Sequence, residues 1–140
     1  MKIISCLIGL GMLIGCSNAP DLTVEVETLG NQMKYNVVKI NAEKSSTLLI
    51  KFKNNATIPV MKHNIIVLNS EDAIDAVGTA ALSAENNVPN HPSIIAASDM
   101  IGPGESTELL INIPDQAGVY PYICTYPGHY QVMQGKIIVK

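Results

Sequence analysis

The sequence predicts an all-β domain, a two-sheet sandwich or barrel, with one short helix inserted. Three observations carry this expectation. Short runs alternate apolar and polar residues with the period of two that a half-buried strand requires. Turn-forming residues punctuate most of them: Asn54-Asn55, Gly102-Pro103-Gly104, Pro114-Asp115 and Gly118. One stretch alone changes to a helical period. At 140 residues the chain holds one domain at most.

In chain order, L-T-V-E-V-E-T from Leu22 to Thr28 alternates cleanly and stops at Gly30-Asn31. M-K-Y-N-V from Met33 to Val37 alternates again and is expected to form the second strand. In T-L-L-I-K-F-K-N, Leu48, Ile50 and Phe52 face inward while Lys51 and Lys53 face water. H-N-I-I-V-L from His63 to Leu68 is more continuously apolar. Ser70-Glu71-Asp72-Ala73 then opens like a capped helix with acids in its first turn. Ile74, Val77, Ala81 and Leu82 continue it as a helical stripe, which Gly78 is expected to interrupt. Residues 88–93, V-P-N-H-P-S, read as loop, and His91 with them. T-E-L-L-I-N-I, V-Y-P-Y-I-C and G-K-I-I-V-K close the set.

Residues 1–15 stand apart from the fold. A lone Lys2, an apolar run from Ile3 to Ile14 and then small residues read as a secretory signal peptide. The run is too short for a membrane span, which needs about 20 apolar residues. Its ending, Leu13-Ile14-Gly15-Cys16, resembles the lipobox of bacterial lipoproteins. That resemblance implies cleavage before Cys16, lipid on its thiol, a tether through residue 21 and a folded domain over 22–140. Such a protein is exported and anchored on the periplasmic face of a membrane, with Ser17 leaning towards the outer membrane if the cell is Gram-negative. All 9 basic residues are lysines against 12 acids. A mildly acidic chain without arginine is a poor nucleic-acid binder. With Cys6 and Cys16 assigned to the leader and the anchor, Cys124 is the one thiol of the fold. In an oxidising compartment a lone cysteine calls for burial or a ligand.

Near the C-terminus, C-T-Y-P-G-H-Y-Q-V-M sets Cys124, His129 and Met133 in one loop, with His63 on a separate strand. One thiolate, two imidazoles and a thioether are the donor set of a blue-copper site, a His₂Cys plane with a weak axial Met. Cu(I) favours soft sulfur and Cu(II) favours nitrogen, so a site held between the two changes little when an electron arrives. The C-x₄-H-x₃-M spacing, with Pro127-Gly128 inside it, lets one tight loop fold its donors onto one ion. Zinc shares Cys and His as ligands but rarely recruits methionine, and the paired knuckle spacing is missing.

The loop C-T-Y-P-G-H-Y-Q-V-M-Q-G resembles the copper loop of the azurins and auracyanins, which are cupredoxins. The likeness extends to G-N-Q-M-K-Y-N (30–36), M-K-H-N-I-I-V-L (61–68), the helix near 71–86 and I-G-P-G-E-S-T-E-L (101–109). It implies a two-sheet Greek-key cupredoxin sandwich of about seven to eight strands with one short inserted helix. It also implies one copper ion cycling between Cu(I) and Cu(II), with His63, Cys124 and His129 in the plane and Met133 axial. Asn64 would brace the loop near Thr125 or His129, and Met61, Pro127 and Gly128 would form the apolar patch where electrons are exchanged. Two departures stand out. Lys62 replaces the glycine whose carbonyl makes a distant axial contact in azurins, so that contact would fall to the Lys62 carbonyl and be weak. Ser46 stands at one position of the azurin disulfide, so the domain must do without it.

The implied function is non-enzymatic: carriage of single electrons between transient redox partners such as c-type cytochromes or oxidoreductases, at the membrane surface. A multicopper enzyme would need several more histidines, and only His91 is left. The alternative is a periplasmic copper-binding or copper-delivery protein.

Overall fold

The computed structural model describes residues 19–140, so the leader, Cys16 and most of the tether lie outside the described residues. Eight strands form two sheets. They are β1 (Leu22–Glu27), β2 (Lys39–Ala42), β3 (Thr47–Lys53), β4 (Ile66–Leu68), β5 (Ile94–Ala97), β6 (Ser106–Asn112), β7 (Gly118–Ile123) and β8 (Gln134–Val139). One sheet has the order β1-β3-β6 and the other β2-β8-β7-β4-β5. β1 runs parallel to β3 and β2 parallel to β8, while the remaining pairs are antiparallel. This is the expected Greek-key sandwich.

The alternation read in β3 is borne out: Leu48, Ile50 and Phe52 are buried, and Lys51 and Lys53 are exposed. They meet Val26, Leu109 and Ile111 of the same sheet and Val67, Tyr122 and Ile137 of the other in one core. Two strand readings need correction. Met33–Val37 is not a strand. Gly30 turns the chain, Leu29 N–H donates to the Lys34 carbonyl at 3.0 Å, and only Tyr35 makes an isolated bridge to Thr28. The second strand lies further on, at Lys39–Ala42, where alternate burial of Ile40 and Ala42 continues against β8. β5, I-I-A-A, was not foreseen; it is the half-buried edge beside β4.

The helix α1 spans Ile74–Ala81 after a 3₁₀ turn at Glu71–Ala73, whose cap is the Ser70 hydroxyl accepting from Asp72 N–H at 3.1 Å. Val77 and Ala81 are buried as expected, whereas Leu82 is 58% exposed. Gly78 does not interrupt the helix, which runs through it. A tie between the first and third strands exists without a disulfide. The Asp21 carboxylate accepts from Thr47 N–H and Oγ1–H, both at 2.8 Å, and these bonds hold its carboxyl below the usual range. Cys124 is the only cysteine among the described residues, and it is free.

Candidate metal centre

Strand register brings the donors together. β7 and β8 are antiparallel, with Ile123 opposite Gln134, and the next bond, Cys124 N–H to the Met133 carbonyl at 3.1 Å, extends their ladder. Cys124 and Met133 are therefore the two ends of a hairpin loop with His129 between them. Within it Tyr126-Pro127-Gly128-His129 forms a turn closed by His129 N–H to the Tyr126 carbonyl at 2.9 Å. Proline second and Gly128 third, at φ +83°, is the type II pattern, in which only glycine sits easily at the third place. Val132 and Met133 both donate back to the His129 carbonyl, at 3.0 and 2.8 Å.

His63 is not on a strand as expected: β4 begins only at Ile66, and His63 lies on the chain ahead of it. β4 pairs antiparallel with β7, Ile66 opposite Ile123, so the chain ahead of β4 runs beyond the end of β7 and alongside the loop. An isolated bridge to Ile101, with bonds of 3.0 and 2.9 Å, holds His63 there.

The Cys124 Sγ lies 3.7 Å from His63 Nδ1 and 3.6 Å from His129 Nδ1. All three donor atoms fall within 4.8 Å of one another, and all three residues are buried. An ion bound at about 2.0–2.3 Å in a trigonal plane would hold its sulfur and nitrogens about 3.8 Å apart, so the donors already stand close to binding distance. Met133 is fully buried in the same cluster as Cys124.

Electrostatics complete the fit. Burial pushes the Cys124 thiol up to about 11, while the backbone N–H groups of Asn64 and Tyr126 at the sulfur pull the other way. Burial, with His129 nearby, lowers His63 to about 4, and burial also lowers His129. The pocket thus holds two neutral imidazoles as ready donors and a sulfur whose charge becomes stable once a cation shares it.

Asn64 is tied to the loop at Thr125. Its Nδ2 donates to Thr125 Oγ1 and its Oδ1 accepts from Thr125 N–H, both at 2.8 Å, and neither residue is reached by water. Pro127 and Gly128 are exposed and Met61 is half-buried. Met61 also lines a shallow concavity with Asn31, Gln32, Met33, Lys34 and Val132. The Lys62 side chain is exposed, and its N–H closes a turn onto the Val60 carbonyl at 3.0 Å. His91 lies away from the donors, its Nδ1 accepting from Ser93 N–H at 3.2 Å.

With this geometry in hand, residues 22–140 match the copper binding proteins of the plastocyanin/azurin family. The chain is a cupredoxin. It is 35% identical over 128 residues to auracyanin A of Chloroflexus aurantiacus, covering 88% of this chain and 77% of that protein. The solved structure of auracyanin A, described as a "blue" copper protein, superposes with a TM-score of 0.77 and covers 84% of this chain and 98% of its own. Dithionite-reduced auracyanin of Roseiflexus castenholzii gives a TM-score of 0.79 at 30% identity, covering 87% of this chain and 99% of its own. Outer membrane protein H.8 of Neisseria gonorrhoeae is 31% identical over 126 residues, 85% of this chain and 68% of that protein.

The cupredoxin braces its ligand region with polar residues that sequence reading passed over. Asn54, read as a turn residue, is fully buried and donates from Nδ2 to the carbonyls of Met61 at 2.8 Å and Ile101 at 3.2 Å. Tyr35 donates its hydroxyl to the Asn64 carbonyl at 2.6 Å, and burial holds that phenol well above its usual value. Ser98 Oγ accepts from Ile65 N–H at 2.9 Å. Tyr126 packs its ring 4.9 Å from that of His129. Three of these partnerships span 29 to 47 residues, and most run to backbone groups, so no local motif announces them.

Proposed function

We propose that this cupredoxin is a mononuclear blue-copper protein carrying single electrons between redox partners at the bacterial cell envelope. The observation that carries the reading is the convergence of His63 Nδ1, Cys124 Sγ and His129 Nδ1 on one buried point. These three would hold one copper ion, with the Met133 thioether and, more weakly, the Lys62 carbonyl as further donors. Bound copper supplies the Cu(I)/Cu(II) couple. The chain supplies the rest: Asn64, Tyr35 and Asn54 fix the donors from outside, so they need not move when charge changes.

Electrons would pass at the His129 edge, which keeps 5% exposure where His63 has none. Around it Met61, Pro127 and Gly128, with exposed Met33, Ile58, Val60 and Val132, form a largely apolar surface bordered by Lys34 and Lys62, suited to brief encounters with a cytochrome or an oxidoreductase. Copper delivery fits less well, because Cys124 and Met133 are fully buried and offer no open donor from which to hand the ion on. Nothing in the donor cluster resembles a substrate site, and we read the protein as a carrier and not an enzyme. A lipid on Cys16 would hold it at the periplasmic face of a membrane; the relative named as an outer membrane protein supports that placement.

The test is electron self-exchange of the copper-loaded chain, measured by NMR line broadening. Met61→Glu should slow it about tenfold or more while copper stays bound, since two like charges then meet at the contact. An unchanged rate would move the exchange point elsewhere.

A further inference from the structure

The inserted segment between β4 and β5 touches the ligand loop twice. Its helix packs Val77 and Ala73 against Ile66, Leu68 and Ile123, the last being the residue before Cys124. Beyond that apolar contact, Tyr130, the residue after His129, lies flat against Gly78. A Cβ placed on Gly78 would stand 2.3 Å from Tyr130 Cγ and within 2.6 Å of two more ring carbons. Alanine is the better helix former, so glycine here weakens the helix and allows the close approach.

The second contact is at the segment's end. Asn86 and Asn87 have φ of 52° and 57°, two successive residues in the left-handed region that side chains disfavour. The turn is held by Asn87 Nδ2 donating to the Ala81 carbonyl at 3.0 Å and Asn87 N–H donating to the Ala84 carbonyl at 3.1 Å. It presents the Asn87 carbonyl to the Thr125 hydroxyl, which donates at 2.6 Å. The same hydroxyl accepts from Asn64 Nδ2, so the bond continues to the neighbour of His63. Backbone strain is kept only where the surroundings enforce it, and it gathers at sites where it serves a purpose.

We propose that the segment 70–88 is a buttress for the ligand loop, with Gly78 and Asn87 as its positioning residues. It grips the residue after two of the loop's donors, Thr125 after Cys124 and Tyr130 after His129, while contributing no donor itself. This rests on reading Cys124 and His129 as copper ligands, but its test does not depend on copper.

The experiment is amide hydrogen exchange at His129 and Met133 in the copper-free full chain, followed by the visible spectrum with Cu(II). Gly78→Ala should displace the Tyr130 ring, and Asn87→Val should withdraw the carbonyl, because a β-branched residue avoids positive φ. Both should speed exchange at the two amides by about tenfold or more and shift the charge-transfer band. Asn87→Gly, which adopts the same φ freely but loses the Nδ2 bond to the Ala81 carbonyl, should be disturbed clearly less than Asn87→Val in both readouts. If Gly78→Ala fails to fold, the Asn87 pair decides alone. Wild-type exchange and spectrum in folded Gly78→Ala and Asn87→Val would overturn the proposal, as would an Asn87→Gly variant as disturbed as Asn87→Val. The exchange pattern without a blue band in wild type would refute the copper reading and leave the buttress standing.

Discussion

The two histidines of the centre are held by different means. His63 sits in a bridge to Ile101, with its flanking carbonyls bonded to Asn54 and Tyr35, and water does not reach it. His129 sits on a turn of four residues whose bonds are local, and its edge is open. One donor is pinned beside the sheets by partners distant in sequence, and the other sits in a local loop. A rigid wall resists the geometry change that accompanies electron gain, while a loop edge lets a partner approach. The comparison teaches that rigidity and access are divided between two parts of the chain, joined by the Asn64–Thr125 pair.

Cutting that join should produce the largest effect. Asn64→Ala removes two buried hydrogen bonds and orphans the Thr125 N–H, so the copper-free chain should lose about 2–4 kcal/mol in urea unfolding. A loss under about 1 kcal/mol would mean the two regions are not tied through this side chain.

Acid sharpens the contrast next. His63 is neutral in the fold down to about 4, whereas an unfolded histidine takes its proton near 6.5. Between those values the unfolded chain binds more protons, so copper-free stability should fall as pH drops from 6.5 towards 4, below which the His63 contribution is constant. His63→Gln should flatten much of that slope, and the residue left to His129 should be smaller. Equal slopes in His63→Gln and wild type would contradict the assignment. Copper loading at pH 7 should release about one proton, from Cys124, whose thiol stands at about 11.

The fold was legible where burial is periodic and the site where its donors are local. Cys124, His129 and Met133 stand within one loop, so their chemistry could be read before any geometry. His63 lies far upstream, and only strand pairing explains why it is near them. Met33–Val37 misled because Tyr35 is buried between exposed neighbours, a strand-like pattern produced by a turn and a single bridge. Ile94–Ala97 escaped because I-I-A-A has no alternation; as an edge strand it is half-buried throughout. Gly78 looked like an interruption, since the ring that requires it comes from Tyr130, far along the chain. Asn54 and Tyr35 serve through nonlocal carbonyls, which leave no trace in a sequence.

Smaller effects test the loop side alone. Met133→Leu removes a weak donor and dries the site, so the reduction potential should rise while the blue colour stays. Met133→Gln offers a harder oxygen that stabilises Cu(II), so the potential should fall. Voltammetry in which both variants shift the same way, or neither moves, would make Met133 packing and not a ligand. His91→Ala should do least, within about 0.5 kcal/mol of wild-type stability and with an unchanged spectrum, because its ring belongs to neither region.

The central claim is that one copper ion is bound by Cys124 together with His63 from the chain ahead of β4 and His129 from the loop. The most direct measurement is a Cu(II) titration of the folded chain followed in the visible spectrum. An intense thiolate-to-copper band should grow to a limit at about one equivalent of copper and be absent from a folded Cys124→Ser variant. No such band in wild type, or an equally intense one in Cys124→Ser, would contradict the account.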